Sequence, residues 1–411
     1  MASPTVTELD IRADFPILAR KIGGQRLVYL DSSSTSQKPE PVLAAMDDFY
    51  RRHNANIHRG VYPLALEADA LFEGARERIA GFTGGESRAT IFTANVTAAI
   101  NLVAYAWGRT NLHPGDAVLI TEMEHHSNIV PWQLATAATG AELRWLEVDE
   151  DGQLSLEQLD AELARGDVRL VALTHVSNVL GTINPVAEIV RRAHAAGALA
   201  LVDGAQAVPQ MPVDIGSVGA DFYAWTGHKA LGPTGIGVLQ ANPQVLEAMP
   251  PFLTGGDMIE RVGRDGSTWK ELPWKFEAGT SMIAEAIGLG AAVDYLTAVG
   301  MERVREHERA LAAYALEQLG ALDGVRIFGP KNVEQRGGVV SLAIDGIHPH
   351  DSAELLGREG VCVRASHHCA QPLMAKLGVP ATVRASFGPY NVSEDVDALV
   401  AAIRGAQRVF A

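Results

Sequence analysis

Between about residue 25 and residue 285 the sequence returns seven times to a short run that is apolar throughout. The runs are "ATIFT" (89–93), "AVLIT" (117–121), "LRWLEV" (143–148), "LVALTHV" (170–176), "ALALVD" (198–203), "DFYAWT" (221–226) and "GIGVLQ" (235–240). Strands wet on one face alternate apolar with polar residues, whereas continuous runs belong to strands covered on both faces. Helical spacing fills the intervals, so the expected fold is α/β, a mainly parallel seven-stranded sheet with helices on both sides. From "AEAIGLGAAVDYLTAVG" (284–300) onward the pattern changes to long helices, then to strands such as "VVSLAI" and "VCVRA" mixed with helices. We therefore expect a large domain over residues 25–285 and a smaller α+β domain built from 1–24 with 286–411. A chain of 411 residues is also about two cores long.

A formal net charge of −15 leaves no basic field to draw in phosphate backbones or anionic lipid. Neither nucleic acid nor a membrane is an expected partner, and no apolar run approaches the roughly 18 residues that span a bilayer. The opening "MASPTVTELD" shows no secretory pattern, and two cysteines cannot build a disulfide framework. A cytoplasmic enzyme with reduced thiols is the expectation.

Ligands bind at strand ends in such sheets, which directs attention to four polar stations. Lys229 of "TGHKALGPTGIG" ends an apolar strand in a loop free of carboxylates, where desolvation disfavours the ammonium and suits the amine to Schiff-base chemistry. Asp203 of "LVDGAQAVPQ" ends another, and a buried carboxylate there needs a cation such as a pyridinium nitrogen; a helix cap is the plainer alternative. Gln206 either reaches a ring substituent or sits on a turn. His125 of "TEMEHHSNIVPW" could lie flat on an aromatic cofactor or be an ordinary satisfied histidine, as could His126. Asn95 and Thr97 of "TANVTAAI" stand between strand and helix, where free N–H groups favour an anion, though N-capping explains them equally well.

A lysine, a carboxylate, a stacking imidazole and a phosphate nest are together the parts of a pyridoxal-phosphate site. The sequence also resembles the class V aminotransferase family of fold-type I pyridoxal-phosphate enzymes, within it the SufS-type (group II) cysteine desulfurases. The resemblance runs through "YLDSSSTSQKP", "NANIHRG", "MEHHSNIVPWQ", "THVSNVLGTINP", "VDGAQAVPQMPVD", "TGHKALGPTGIGVL", "KFEAGT", "SHHCAQPLM" and "RASFGPYN". It implies covalent attachment of pyridoxal 5'-phosphate to Lys229, Asp203 at the ring nitrogen, Gln206 at the phenolic oxygen and His125 stacked on the ring. Thr97, Thr226 and His228 would hold the phosphate with Thr280 of a neighbouring subunit, hence a homodimer. Asn178 and Arg384 would grip the substrate carboxylate, with Arg364 nearby.

Cys369 in "RASHHCAQP" admits three readings. As a metal ligand it lacks a second cysteine or a spaced histidine pair, and adjacent His367 and His368 point apart if the segment is extended, so no metal is expected. As a buried hydrophobe, Cys362 of "GVCVRA" is the better candidate. The third reading is a nucleophile, its thiolate favoured by positive charge from His367, His368 or Arg364.

The resemblance then implies an L-cysteine desulfurase that leaves alanine and a persulfide on Cys369, feeding iron–sulfur cluster assembly. A compact segment around Cys369 cannot travel far, so a SufE- or SufU-type acceptor is the expected partner. Selenocysteine lyase, a sulfur donor for a specialised thio-cofactor or natural-product pathway, and an aminotransferase or epimerase of the same fold are the rivals, with a non-catalytic metal-binding module further off. Four departures from the family pattern stand out. Ser366 replaces a usual glycine and disfavours φ > 0 there; "DSSSTS" alters polarity near the cofactor; Tyr62 stands where histidine is common; Val96 removes a possible phosphate contact.

Overall fold

The computed structural model describes residues 9–410. All seven apolar runs form one sheet: β1 (Thr90–Thr93), β2 (Ala117–Thr121), β3 (Glu142–Leu146), β4 (Val168–Thr174), β5 (Leu199–Asp203), β6 (Phe222–Thr226) and β7 (Gly237–Ala241), in the order β1-β7-β6-β5-β4-β2-β3. Neighbours from β6 across to β3 pair in parallel, and β7 alone runs the other way between β1 and β6. The burial expected of a two-sided sheet is present residue by residue. On β2, Ala117 and Leu119 enter one core, Val118 and Ile120 the other; on β5, Ala200 and Val202 oppose Leu201. Period-two alternation of the backbone sends successive side chains to opposite faces, and here both faces are covered.

Helix α1 (Pro63–Phe82) begins with proline, whose missing N–H costs nothing in a first turn. It lays Ala68, Phe72, Ala75 and Ile79 on the first core beside α2 (Ile283–Val299), a helix buried around most of its circumference. Among the described residues no single helix is long and apolar enough to cross a membrane.

A buried ion pair fastens α1 to the sheet. Arg76, 1% exposed, donates from Nη1 and Nη2 to the two carboxylate oxygens of Glu277 at 2.6 and 2.8 Å, and Glu277 also accepts from the Phe92 N–H at 2.7 Å. Removing one partner of such a pair strands the other charge. Glu277→Ala is expected to cost about 3 kcal/mol, the low end of the range because Glu73 still receives Arg76 Nε. Urea unfolding checks this; a loss under about 1 kcal/mol would show the pair to be replaceable by water.

Past Gly300 the helix α3 (Met301–Gly320) leads to a second core. A four-stranded antiparallel sheet in the order β8-β9-β11-β10 comprises β8 (Val325–Phe328), β9 (Val339–Ile344), β10 (Arg364–Ser366) and β11 (Thr382–Ser386). Helices α4 (Pro349–Arg358) and α6 (Ser393–Phe410) cover it, while the short α5 (Gln371–Leu377) follows β10. Val28 and Leu30 pack in this second core, whereas Leu9, Phe15 and Leu18 pack in the first. Residues 1–8 of the expected small-domain segment lie outside the described residues.

One element differs from expectation. "VCVRA" is not a single strand: Val361–Cys362 pairs in parallel with Val28–Tyr29, and only Arg364–Ser366 joins the small sheet. Its partners are more than 300 residues away in one case and local in the other, so no local pattern could announce the split.

Candidate active site

Because β1, β2, β4, β5 and β6 run the same way, the loops that leave them gather at one edge of the sheet. They meet the small domain around a cavity of about 260 Å³, lined among others by Thr97, His125, Asp203, Lys229, Arg364 and Arg384. Gly237 opens the antiparallel strand at this edge. A Cβ there would lie 2.3 Å from the Asn95 carbonyl carbon, so only glycine lets the Asn95–Thr97 turn sit against the sheet.

Lys229 follows β6 in a single helical turn and faces the cavity. Burial lowers its amine to about 8, with Asp203 pulling the other way. Asp203 ends β5 at 4% exposure; its Oδ1 accepts from the Ala205 N–H at 2.9 Å, and burial raises its carboxyl pKa. His125 accepts the Ser127 N–H on Nδ1 at 3.1 Å, which leaves the proton of the neutral ring on Nε2. Burial, then the Lys229 charge, lowers His125 to about 3. Gln206 donates to the Ser33 carbonyl at 2.9 Å and His228 lines the wall.

The small domain supplies the cations. Arg364 and Arg384 face each other across β10 and β11, and both donate to Ser34 Oγ at 2.8 Å. Arg384, 1% exposed, also reaches the Asn178 carbonyl at 2.9 Å and Asp31 at 3.2 Å. Like charges directly opposite on a sheet repel, which makes this corner a receptor for an anion.

Cys369 lies in the four residues between β10 and α5. Its sulfur is close enough to Lys229 and Arg384 to be felt in the ionisation of both. Two premises about this loop need correction. The segment is not extended: His368 and Cys369 adopt φ of 51° and 56°. The strain therefore falls on these two residues and not on Ser366, which keeps a strand conformation and pairs with Thr382. His368 does not supply positive charge either. It bonds through Nε2 to Thr382 Oγ1 at 2.9 Å, and burial followed by Arg384 lowers it to about 3.

The remaining expected residues divide. Asn178 is at the cavity, its Nδ2 donating to the His368 carbonyl at 2.8 Å. Asn95 caps its helix by accepting the Ala98 N–H at 2.9 Å. Thr226 is buried, its hydroxyl 3.4 Å from the Ile236 carbonyl, and Thr280 is exposed away from this cavity. Tyr62 is exposed, and Cys362 is partly buried beside Tyr29 with its thiol pKa raised by burial. Among the described residues no group of three His, Cys, Asp or Glu is placed to hold a metal ion.

Three contributors escaped sequence reading. Ser127 bridges Thr97 Oγ1 at 2.6 Å and His125 Nδ1 at 2.9 Å. Ser34 joins the two arginines. Glu124, next to His125 in the chain, is fully buried, accepting from Thr121, Asn128 and the Thr174 N–H, and burial raises it to about 8. The run of serines in "DSSSTS" was the one available signal, and it does line the cavity through Ser33 and Ser34.

A model of the class-V aminotransferases matches residues 28–399. The chain belongs to that family. It is 49% identical over 415 residues to the cysteine desulfurase of Haloferax volcanii, covering 98% of this chain and 97% of the relative. The apo structure of cysteine desulfurase from Thermococcus onnurineus superposes with a TM-score of 0.93 at 38% identity, covering all of both chains. The S-sulfonic acid form of the cysteine desulfurase CsdA from Escherichia coli does so with a TM-score of 0.89 at 39% identity, over 97% of this chain and 98% of that one.

The residues fit the family's cofactor, pyridoxal phosphate. Ser33 Oγ and Arg384 Nε are buried without a hydrogen-bond partner, and Asp203 is a buried carboxylate whose one nearby cation is the amine the cofactor would occupy. A ring with a protonated nitrogen meets that need.

The neutral imidazoles have a measurable consequence. His125 and His368 are held near 3 and His228 near 4, in each case chiefly by burial. The unfolded chain takes up protons at these positions around their ordinary value of 6.5, while the fold refuses them for two units or more below it. Their contribution to stability is therefore complete above 6.5 and lost as pH falls through that window. The urea midpoint of cofactor-free protein should drop between about pH 7 and pH 5; an unchanged midpoint would mean these rings titrate normally.

Proposed function

We propose that this enzyme is an L-cysteine desulfurase that converts L-cysteine to L-alanine and keeps the sulfur as a persulfide on Cys369. The observation that carries the reading is a free thiol on a short loop, next in the chain to His368, which lines the same cavity as the paired arginines and the buried lysine. Aminotransferase chemistry has no use for it there.

Arg384, with Arg364 beside it, grips the substrate carboxylate bidentately and Asn178 closes the other side. That fixes the substrate side chain toward the Cys369 loop. Lys229, Asp203, Gln206, His125, Thr97, Thr226 and His228 would hold pyridoxal phosphate, which would supply an electron sink that loosens bonds at the substrate α-carbon. Lys229, lowered to about 8, has a neutral fraction near neutrality and carries the α-proton. The Cys369 thiolate attacks the substrate sulfur: an S–S bond forms, the carbon–sulfur bond breaks, and its electron pair passes to the carbon skeleton, which takes a proton to become the methyl group of alanine. Cysteine and enzyme thiol thus give alanine and enzyme persulfide, with no outside oxidant.

The loop of four residues is too short to carry sulfur far. We assign its delivery to a SufE- or SufU-type acceptor serving iron–sulfur cluster assembly in the cytoplasm. The exposed Thr280 supports a homodimer in which it completes the partner's phosphate site. Mass spectrometry after incubation with L-cysteine tests the core of this: one added sulfur atom is expected on the Cys369 peptide, and an unmodified Cys369 with alanine formed would refute it.

A further inference from the structure

His126 has no place in the chemistry above and does not line the cavity, yet it brackets the nucleophile. Its backbone N–H donates to the Cys369 carbonyl at 2.7 Å. Its ring Nε2 accepts the Gln371 N–H at 3.2 Å, one of the free donors at the start of α5. From the other side His367 Nδ1 accepts the Cys369 N–H at 3.1 Å, and the His126 and His367 rings lie 5.6 Å apart. Between these anchors stand His368 and Cys369, both in the left-handed region that side chains other than glycine occupy only at a cost. Such a conformation persists only where surrounding contacts over-determine it.

We infer that His126 is a positioning residue for Cys369: bridging the loop and the first turn of α5, it fixes the backbone that carries the thiol, beside the His368 that lines the cavity, for as long as its Nε2 carries no proton. The inference rests on Cys369 being the sulfur acceptor. A protonated Nε2 is a donor and faces another donor at Gln371, so protonation breaks the bridge. The titratable groups packed against the ring are His125 on its own loop, 6.3 Å away, and His367 opposite. Burial and then His367 lower the His126 pKa, which keeps the bridge intact at neutral pH.

The test uses holoenzyme in single turnovers with L-cysteine, following arrival of sulfur on Cys369 by quench and mass spectrometry. His126→Ala should slow that step by about 10- to 100-fold, the cost of a misplaced reacting group. Its cofactor absorbance, and the cysteine concentration that half-saturates the substrate-induced change in it, should match wild type. His126→Gln offers an acceptor that does not titrate and at about pH 8 should recover to within about threefold of wild type. As pH is lowered below the ordinary imidazole value, toward about 5, the wild type should fall progressively behind His126→Gln, because position 126 titrates only when it is an imidazole. An undiminished rate in His126→Ala, or His126→Gln as slow as His126→Ala at the higher pH, overturns the inference. Wild type that never gains sulfur on Cys369 overturns the functional reading beneath it instead.

Discussion

Cys369→Ser is expected to lose alanine formation from L-cysteine by about 10³-fold or more, while still binding cofactor and substrate. The reasoning is local. The side chains proposed to hold the cofactor follow strands of the large sheet and the proposed carboxylate grip comes from Arg364 and Arg384, and none of them hydrogen-bonds to the Cys369 sulfur. Replacing sulfur with oxygen should therefore leave the cavity intact and remove only the group proposed to accept sulfur. A serine hydroxyl is scarcely ionised at neutral pH and is a poor nucleophile toward divalent sulfur. Absorbance changes on adding cysteine should persist in the variant, and alanine should not accumulate. The matched control is Cys362→Ser, which alters a partly buried thiol in a strand beside Tyr29 and should leave turnover alone. Turnover that survives in Cys369→Ser would return the protein to the aminotransferases and epimerases of its fold.

Lys229→Ala should be more damaging still, lowering turnover by about 10⁴-fold and abolishing covalent retention of the cofactor. Two properties meet in that amine. Burial lowers it to about 8, so a fraction is unprotonated and able to attack a carbonyl carbon near neutral pH. The same position would let the amine hold and pass a proton beside the substrate. Among the described residues no other lysine lines the cavity to substitute for it. Borohydride should fix the cofactor to wild type on the Lys229 peptide and fix none to the variant. Cofactor reduced onto a different lysine would show that the strand-end assignment is wrong.

The parts of this site that were legible in the sequence are those set by one strand and its own loop. Lys229, Asp203 and His125 each follow an apolar run, and a run buried on both faces can be read without knowing its neighbours. Their gathering at one edge follows from the parallel direction of the strands, which the continuous apolar pattern also predicts. The parts that were not legible depend on residues distant in sequence. Ser34 and Arg384 are 350 positions apart, and that serine's role between two guanidinium groups exists only because β10 pairs with β11 in the register that sets Arg364 opposite Arg384. Ser127 gave no sequence signal, because its contact with Thr97, 30 positions away in the helix after β1, exists only in the fold.

The Cys369 loop shows the division most sharply. A cysteine in a polar segment is evident from the residues around it, and so is the improbability of a metal site with that spacing. That His368 and Cys369 both turn left-handed, that burial disfavours the charged form of His368, one of three candidate cations, and that His126 reaches across to α5 were not. Sequence by itself determined the buried sheet, the residues at its strand ends and the chemical types available, because side-chain polarity and period are local properties. Tertiary structure alone decided the backbone conformation of the loop and the charge states around it, because strain is held by long-range hydrogen bonds and ionisation by burial, and both arise only when distant segments meet.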